Sequence, residues 1–452
     1  METAGRNSPT HNDVESSINV DSLCLRDRTD IVVKYMYAAQ KLNCAPEFLD
    51  GYDVDELYRK HIHIRTGGKE PGDELRKGSL QDFVNQFDRL IESFKHQRFV
   101  KGNEVPFSRS NNLPINGAHR MAAALALGCD IPIVRGDSPG GLWNFNWFIN
   151  AGFRQQEINL ILRSIFFLKP DKFLVSILWS PVQKEWDEIE SEINAEAPVV
   201  FRRDFEFARD CFNELICDIY SLDWGPQVGD NILRKIALLS PFTSRIRVLF
   251  SELDSGRTSA FGTELKCKIR KKYAAMCPLD NFTTIHISES AVESNHLLNI
   301  FCNENNLFHL SRRQRLRPQF VSMLATYITV LSAYQINPAD CCVVGGAAVE
   351  VLGLRTADDI DFTTRESIRF TRFNGGVTQL EDGVDLVAYN YPRNFGVRPP
   401  LTDEHIIKRP EYHFFSRGVK FVDPSVLLTR RHHQRLDKDL RDLKMLSSYL
   451  DS

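Results

Sequence analysis

Apolar residues recur at helical spacing in the first third of the chain and predict a helix that buries one face. The recurring positions are Phe83, Phe87, Leu90, Ile91 and Phe94. Ser79 is the expected N-cap of this helix, with Asp82 as its capping partner. An extended segment at 105–107 follows, and a second helix is expected at 121–127, ended by Gly128.

Strand and helix patterns alternate through the middle of the chain. Strands are predicted at 173–179, 199–203 and 245–250, and helices at 184–193 and ending at Tyr220. This alternation is typical of a small α+β domain.

The last third begins with a different order of elements. A buried strand is predicted at 341–344, a tight turn at Gly345-Gly346, a short helix at 347–352, and strands at 359–362 and 384–389. The turn places two glycines directly between a buried strand and a helix.

Punctuating segments divide these patterns into domains. A Ser-Pro-Gly-Gly cluster follows Asp137, and a basic, non-periodic segment spans 311–318. We therefore expect an α+β multidomain protein. Its predicted parts are a disordered tail at 1–20 and domains at 21–140, 141–310 and 311–452.

Composition excludes several classes of protein. The chain has 452 residues, 42% hydrophobic and 25% charged, with a formal net charge of −3, which excludes collagenous, wholly disordered and small disulfide-rich proteins. The nearly equal numbers of acidic and basic residues leave no excess of positive charge for binding a polyanion, so a nucleic-acid partner is not expected. No window approaches the roughly 18 consecutive apolar residues of a membrane span, and the first residues lack a secretory core. We expect a cytoplasmic protein without a membrane partner.

One basic segment leaves two interpretations open. Arg312, Arg313, Arg315 and Arg317 lie close together. They form either a charged connector or a local surface that attracts a nucleic acid.

A Gly-x-His-Arg sequence carries the first candidate chemistry. Gly117 precedes a helix, where backbone N–H groups can approach an anion, and His119 and Arg120 add donors for a phosphate. The segment from Gly117 to Gly128 resembles the phosphate-binding box of the ParB/sulfiredoxin superfamily. The resemblance implies nucleotide binding by Gly117, His119 and Arg120, and it places a catalytic carboxylate at Glu70. On the residues alone, His119 could instead cap the helix while Arg120 pairs with a carboxylate.

Two segments of the middle stretch carry a second resemblance. The segments 266–270 and 284–290 are similar to the Ile-Arg and His-x-Ser-x-Ser elements of nucleoside diphosphate kinases. The resemblance implies a ferredoxin-like domain, with His286 as phosphoryl acceptor and Arg270 as its phosphate-neutralising neighbour. Neutral imidazole is nucleophilic near pH 7. The alternative is a structural or nucleotide-holding domain in which His286 is an ordinary strand-end histidine.

Three carboxylates form the strongest candidate site. Asp359 and Asp361 alternate around Ile360, so a strand presents both on one face. Asp385 lies between apolar neighbours on a further strand. Converging carboxylates suit Mg²⁺ or Mn²⁺, which prefer oxygen ligands and take others from phosphates and water.

This order of elements resembles the DNA polymerase β-like nucleotidyltransferases. The resemblance implies that Gly345 and Gly346 hold the triphosphate and that Asp359, Asp361 and Asp385 hold the metals, with Asp385 also able to act as base. The segment 435–443 is similar to the helix that closes the site in small-substrate members, which places Lys438 near a phosphate. The alternative is a decayed transferase whose aspartates are simply solvated.

The functional hypothesis combines these signals. We expect a Mg²⁺- or Mn²⁺-dependent nucleotidyltransferase that uses a nucleoside triphosphate on a small hydroxylated or phosphorylated metabolite such as a sugar or polyol, with a kinase activity in the N-terminal domain. The alternatives are a nucleotide-binding regulatory switch and a transferase that modifies RNA or protein.

Overall fold

The computed structural model shows a mixed α/β protein with three separate β-sheets. It describes residues 14–19, 23–69, 77–97, 104–254, 256–276, 280–373, 378–381, 383–387, 401–431 and 437–451. The chain forms two compact units, residues 1–173 with 252–258 and residues 174–251 with 259–452. Within the described residues, no helix has both the length and the apolar character needed to cross a lipid bilayer.

The described residues of the first unit form six α-helices and a three-stranded sheet. Its helices are α1 (Thr29–Lys41), α2 (Val54–Thr66), α3 (Leu80–Gln97), α4 (Ala118–Leu127), α5 (Phe145–Asn150) and α6 (Gln155–Leu168). Its strands are β1 (Val14–Ile18), β2 (Val105–Ser108) and β3 (Ile131–Gly136), in the order β1-β3-β2. Strand β1 runs antiparallel and β2 parallel to β3.

The sequence predicts much of this unit correctly, but not its first strand. The helix expected after Ser79 is confirmed as α3, and the Ser79 hydroxyl donates to Asp82 Oδ2 over 2.8 Å. The helix ended by Gly128 is confirmed as α4, with Gly128 in the left-handed conformation. Residues 14–18, expected in a disordered tail, instead pair with β3. Backbone pairing with an existing strand needs little apolar surface, so composition did not reveal β1.

The second unit begins with a four-stranded sheet and its helices. The strands are β4 (Phe173–Trp179), β5 (Val199–Glu206), β6 (Arg245–Glu252) and β7 (Ile285–Ile287), in the order β5-β6-β4-β7. The helices are α7 (Trp186–Glu196), α8 (Arg209–Ile219), α9 (Ser221–Trp224), α10 (Asp230–Leu239), α11 (Phe261–Lys272), α12 (Ala291–Phe301) and α13 (Glu304–Leu310). All three predicted strands are confirmed. The predicted helix at 184–193 begins later, at Trp186, because Pro181 starts a tight 3₁₀ turn before it.

A six-stranded mixed sheet forms the rest of the second unit. Its strands are β8 (Cys341–Val344), β9 (Ile360–Thr364), β10 (Thr378–Glu381), β11 (Val384–Leu386), β12 (His413–Ser416) and β13 (Val419–Val422), in the order β10-β11-β9-β8-β13-β12. The accompanying helices are α14 (Pro318–Ala333), α15 (Ala347–Glu350), α16 (Glu366–Phe373), α17 (Asp403–Lys408), α18 (Pro424–Arg431) and α19 (Asp437–Asp451). The predicted strands 341–344 and 359–362 are confirmed as β8 and β9. The helix expected at 347–352 is shorter, and residues 388 and 389 of the last predicted strand lie outside the described residues.

Buried ion pairs join the two parts of the second unit. Asp218 on α8 is buried; its Oδ2 accepts from Arg313 Nη1 over 2.6 Å and its Oδ1 accepts from the Arg417 backbone N–H over 2.7 Å. The Arg417 guanidinium donates to Glu214 Oε2 over 2.8 Å. Arg313 is therefore enclosed by its own chain and is not presented to a polyanion. Of the two interpretations of the basic segment, Arg313 therefore fits the charged connector.

Replacing Asp218 tests the weight of this network. We expect Asp218→Ala to lower the free energy of unfolding of the second unit by about 3–5 kcal/mol, because it leaves the Arg313 charge buried without a partner. Urea unfolding followed by tryptophan fluorescence measures the change. Glu206→Ala, which breaks the exposed pair with Arg245, is the control and should cost less than about 1 kcal/mol. Equal effects of the two variants would contradict a structural role for Asp218.

Candidate active site

Three aspartates converge at one end of the six-stranded sheet. Asp359, Asp361 and Asp385 each offer a carboxylate oxygen, and these oxygens lie within 4.8 Å of one another. Asp359 is exposed, whereas Asp361 and Asp385 are half-buried. The cluster is thus open to solvent on one side and enclosed by the sheet on the other.

Strand pairing brings these side chains together. Asp361 lies on β9, which is parallel to β11 and in register with it, so that Asp361 is opposite Asp385. On its other side β9 is antiparallel to β8, and Asp361 is opposite Val344, the last residue of that strand. Ile360 and Val384 are buried in the core. Because side chains alternate along a strand, the neighbouring residues Asp361 and Asp385 lie on the opposite face.

The turn after β8 lies directly against the acidic cluster. Gly345 has φ +66°, and a Cβ atom at this position would lie 2.6 Å from Asp361 Oδ2. A side chain here would therefore meet both backbone strain and the carboxylate. Only glycine lets the backbone bend this close to Asp361, and it leaves the turn's amides near the acids.

An arginine lies over the second glycine of the turn. A Cβ atom at Gly346 would come within 3.3 Å of Arg355 Nη2. The Arg355 guanidinium donates two hydrogen bonds to Asp442, over 2.7 Å to Oδ1 and 3.0 Å to Oδ2. Asp442 is a buried residue of α19, so the C-terminal helix holds a cation beside the glycine turn.

A buried glutamate holds the segment that leads to the aspartates. Glu350 Oε2 accepts from the Ala357 backbone N–H over 2.5 Å, and Oε1 accepts from Arg317 Nε over 2.8 Å. The carboxylate thus ties the end of α15 to the residues just before Asp359. This contact limits how far the first aspartate can move from the other two.

The donor set fits a hard divalent cation. Asp385 Oδ1 is buried and accepts no hydrogen bond from any described residue. A buried carboxylate oxygen without a donor is costly, and a metal ion is the partner that three converging carboxylates favour. Mg²⁺ or Mn²⁺ therefore fits the residues present.

The Gly-x-His-Arg residues of the first unit also lie together, at the start of α4. Gly117 has φ +88°. The Arg120 guanidinium folds back over Gly117 and donates to the Glu104 carbonyl over 2.8 Å. His119 Nε2 lies 2.9 Å from the Tyr58 hydroxyl, and its ring packs against Phe87.

The surroundings of His119 are rich in cationic groups. Burial, followed by the charge of Lys34, lowers the pKa of His119 well below its usual value, and Arg65 contributes in the same direction. His61 is fully buried, and neither of its ring nitrogens bonds to a described residue. Burial also lowers the pKa of His61. These imidazoles are therefore neutral at physiological pH.

In the second unit, His286 and Arg270 line one cavity. His286 lies on β7 with only 4% of its surface exposed, and its Nε2 is 3.0 Å from Glu293 Oε1. Burial lowers the pKa of His286 despite that carboxylate. The Arg270 guanidinium donates to the Ile285 carbonyl.

Two predicted site residues cannot be placed in full. Glu70 lies outside the described residues. Lys438 lies in α19, but its side chain is outside the described part of the chain. Their predicted roles stay predictions.

Sequence reasoning missed Lys235 and the partner of Arg355. Arg355 directly precedes the aspartate segment in the sequence, but its pair with Asp442 lies 87 residues away, and no local pattern predicts such a pair. Lys235 is buried on α10 between Ile232 and Leu239. A lysine on the apolar stripe of a helix was a signal that could have been found.

No family model matches the chain, and no curated protein or solved structure matches it either.

Removal of one carboxylate tests the metal site. We expect Asp361→Asn to weaken Mn²⁺ binding at least about tenfold, because the central ligand loses its charge. Isothermal titration with MnCl₂ measures the affinity. Asp358→Asn is the matched control, since Asp358 is an exposed neighbour outside the cluster. If both variants bind Mn²⁺ like the wild type, the cluster is not a metal site.

A methyl group at the turn tests the close approach of backbone and carboxylate. We expect Gly345→Ala to cost about 1–2 kcal/mol of stability and also to weaken Mn²⁺ binding by displacing Asp361. Gly353→Ala is the control, because Gly353 has φ +75° but its Cβ atom would meet nothing closer than 3.4 Å. That variant should lose similar stability and keep its Mn²⁺ affinity. Unchanged affinity in Gly345→Ala would refute the proposed contact.

Proposed function

We propose that the chain is a Mg²⁺- or Mn²⁺-dependent nucleotidyltransferase that acts on a small hydroxylated or phosphorylated metabolite, such as a sugar or polyol. The observation that carries the proposal is the meeting of Asp359, Asp361 and Asp385 within 4.8 Å beside a glycine turn. Carboxylates next to a glycine turn suit a metal-bound triphosphate.

The arrangement of strands supports the nucleotidyltransferase fold for the C-terminal part. Strand β8, the glycine turn and α15 precede β9, which lies between β8 and β11 in the sheet. Asp361 and Asp385 are on the neighbouring parallel strands β9 and β11. This is the order of elements on which the sequence resemblance rests.

The residues of the site have complementary roles in this proposal. Asp359, Asp361 and Asp385 would hold the metal, which stabilises charge on the attacking and leaving oxygens. Backbone amides of Gly345 and Gly346 bind the triphosphate, and Arg355 adds positive charge at the turn. The acceptor oxygen forms a bond to the α-phosphorus, pyrophosphate leaves, and the hydroxyl proton passes to Asp385.

The first unit is proposed to bind a second nucleotide. The Gly117 turn at the start of α4, with the Arg120 guanidinium beside it, supports an anion site there. A kinase activity, with Glu70 as general base for a substrate hydroxyl, completes this part of the proposal. The ParB/sulfiredoxin-like fold belongs to the proposal as well.

The middle sheet supports a ferredoxin-like fold. Numbered within that sheet, its strands have the order 2-3-1-4, and each of its two outer strands is antiparallel to its neighbour. Helices follow the first and third strands, as expected for a repeated strand–helix–strand unit. The chain departs from that unit after the second strand, where helices α8, α9 and α10 precede the third strand.

The cytoplasmic location expected from the sequence is also part of the proposal.

Nucleotide turnover tests the proposal. Purified protein is incubated with each nucleoside triphosphate, Mg²⁺ and a metabolite extract, while pyrophosphate release and the masses of new products are measured. We expect Asp385→Asn to lower the rate by about 10² to 10⁴, the usual contribution of metal-assisted charge stabilisation. Asp358→Asn should retain the wild-type rate.

Three other outcomes would contradict parts of the proposal. Nucleotide binding without turnover would contradict the enzyme and favour the regulatory switch. Label transferred to RNA or protein, but to no metabolite, would contradict the small-molecule acceptor. Turnover that survives Asp385→Asn would refute the assigned site.

A further inference from the structure

A cavity of about 300 Å³ opens beside the middle sheet of the second unit. It lies among α9, α10, α11, β7 and α12. Its walls include Tyr220, Lys235, Lys266, Arg270, Phe282 and His286. The volume is within the range of small-molecule sites.

Two of the carboxylates at this cavity lie beside partners. Lys266 pairs with Glu289, and Glu293 Oε1 lies 3.0 Å from the His286 imidazole. Because burial lowers the pKa of His286, that ring contributes no positive charge, and Glu293 keeps its negative charge in the wall. Lys235 and Arg270 are the remaining cations of the cavity to be explained.

Among the described residues, Lys235 and Arg270 donate hydrogen bonds only to neutral oxygen atoms. Lys235 Nζ donates to the Tyr220 hydroxyl over 2.7 Å and to the Phe282 carbonyl over 3.0 Å. Arg270 Nε and Nη2 donate to the Ile285 carbonyl over 3.1 and 2.8 Å. Lys235 has three N–H donors and Arg270 has five, so one N–H of Lys235 and three of Arg270 take no part in these hydrogen bonds.

Keeping the buried ammonium of Lys235 and the half-buried guanidinium of Arg270 charged is costly without an anion. Lys235 is 1% exposed, and burial lowers its pKa well below the usual value; burial lowers the pKa of Arg270 as well. Each charge also opposes the other. A dianion between them would offset both costs, because it accepts hydrogen bonds and neutralises charge.

Aromatic rings supply the rest of the wall. Lys235 Nζ lies 5.0 Å from the ring centroids of Tyr220 and Phe282, which both line the cavity. Trp224 stands half-exposed at the cavity, next to exposed Asp223. A ring that carries the anion can pack on this indole, and its hydroxyl groups can donate to the carboxylate.

We propose that this cavity is a non-covalent binding site for a phosphate monoester carried on a sugar ring, with Lys235 and Arg270 as the residues that bind the phosphate. The planar fork of arginine and the ammonium of lysine together match a dianionic phosphate better than a single carboxylate. The site needs no metal ion. It is therefore separate in chemistry from the carboxylate cluster.

His286 has a positioning role in this site and is not a phosphoryl acceptor. Its contact with Glu293 holds the ring in the wall of the cavity. A bound ester keeps its phosphate, and no bond is made or broken.

Calorimetric titration in EDTA-containing buffer tests the site. The probes are ribose 5-phosphate, inorganic phosphate and ribose. We expect ribose 5-phosphate to bind more tightly than inorganic phosphate, because the ring contacts the aromatic wall, and ribose alone not to bind. Stronger binding of inorganic phosphate than of the ester would overturn the sugar-phosphate assignment.

Variants locate the binding and separate it from the proposed active site. Lys235→Met and Arg270→Gln should each weaken ribose 5-phosphate binding at least about tenfold. Lys268→Met, on the same helix as Arg270 but paired on the surface with Glu196, should bind like the wild type. Asp361→Asn should also bind like the wild type, so failure of the active-site proposal would not affect this result.

Two outcomes would overturn the proposal. Undiminished binding in both Lys235→Met and Arg270→Gln, with thermal unfolding showing that the variants are folded, would place the ligand elsewhere. Transfer of labelled phosphate onto His286 would show a covalent relay in place of a binding site. Arg270→Gln serves as the second variant if Lys235→Met does not fold.

Discussion

The candidate active site depends on the pairing of β9 with its two neighbours. Asp361 is opposite Val344 on one side and Asp385 on the other, and a slip of one residue in either pair would turn a carboxylate toward the core. Burial of Ile360, Phe362 and Val384 opposes such a slip. The same register places Gly345, the residue after Val344, against Asp361.

Buried ionic contacts then fix the elements that the sheet leaves free. Glu350 ties the end of α15 to the segment before Asp359, and Asp442 holds Arg355 at the glycine turn. Such contacts add little net stability, but breaking one leaves a buried charge without a partner. Their effect is to hold one arrangement of turn, acids and C-terminal helix, as a preorganised site requires.

The sequence predicts the local elements of this site and not its long-range contacts. Strand alternation around Ile360 and the glycine pair after 341–344 are local signals, so the facing carboxylates and the turn could be expected. The partners of Arg355 and Asp218 are about 90 residues or more away, beyond the reach of periodicity. Strand β1 could not be predicted from composition because it depends on pairing with β3.

A crystal structure with Mn²⁺ and a non-hydrolysable nucleoside triphosphate tests the central claim most directly. The account predicts anomalous density from manganese between Asp359, Asp361 and Asp385, with the triphosphate along the Gly345-Gly346 turn. Manganese bound away from these three aspartates, with the triphosphate absent from the turn, would contradict it.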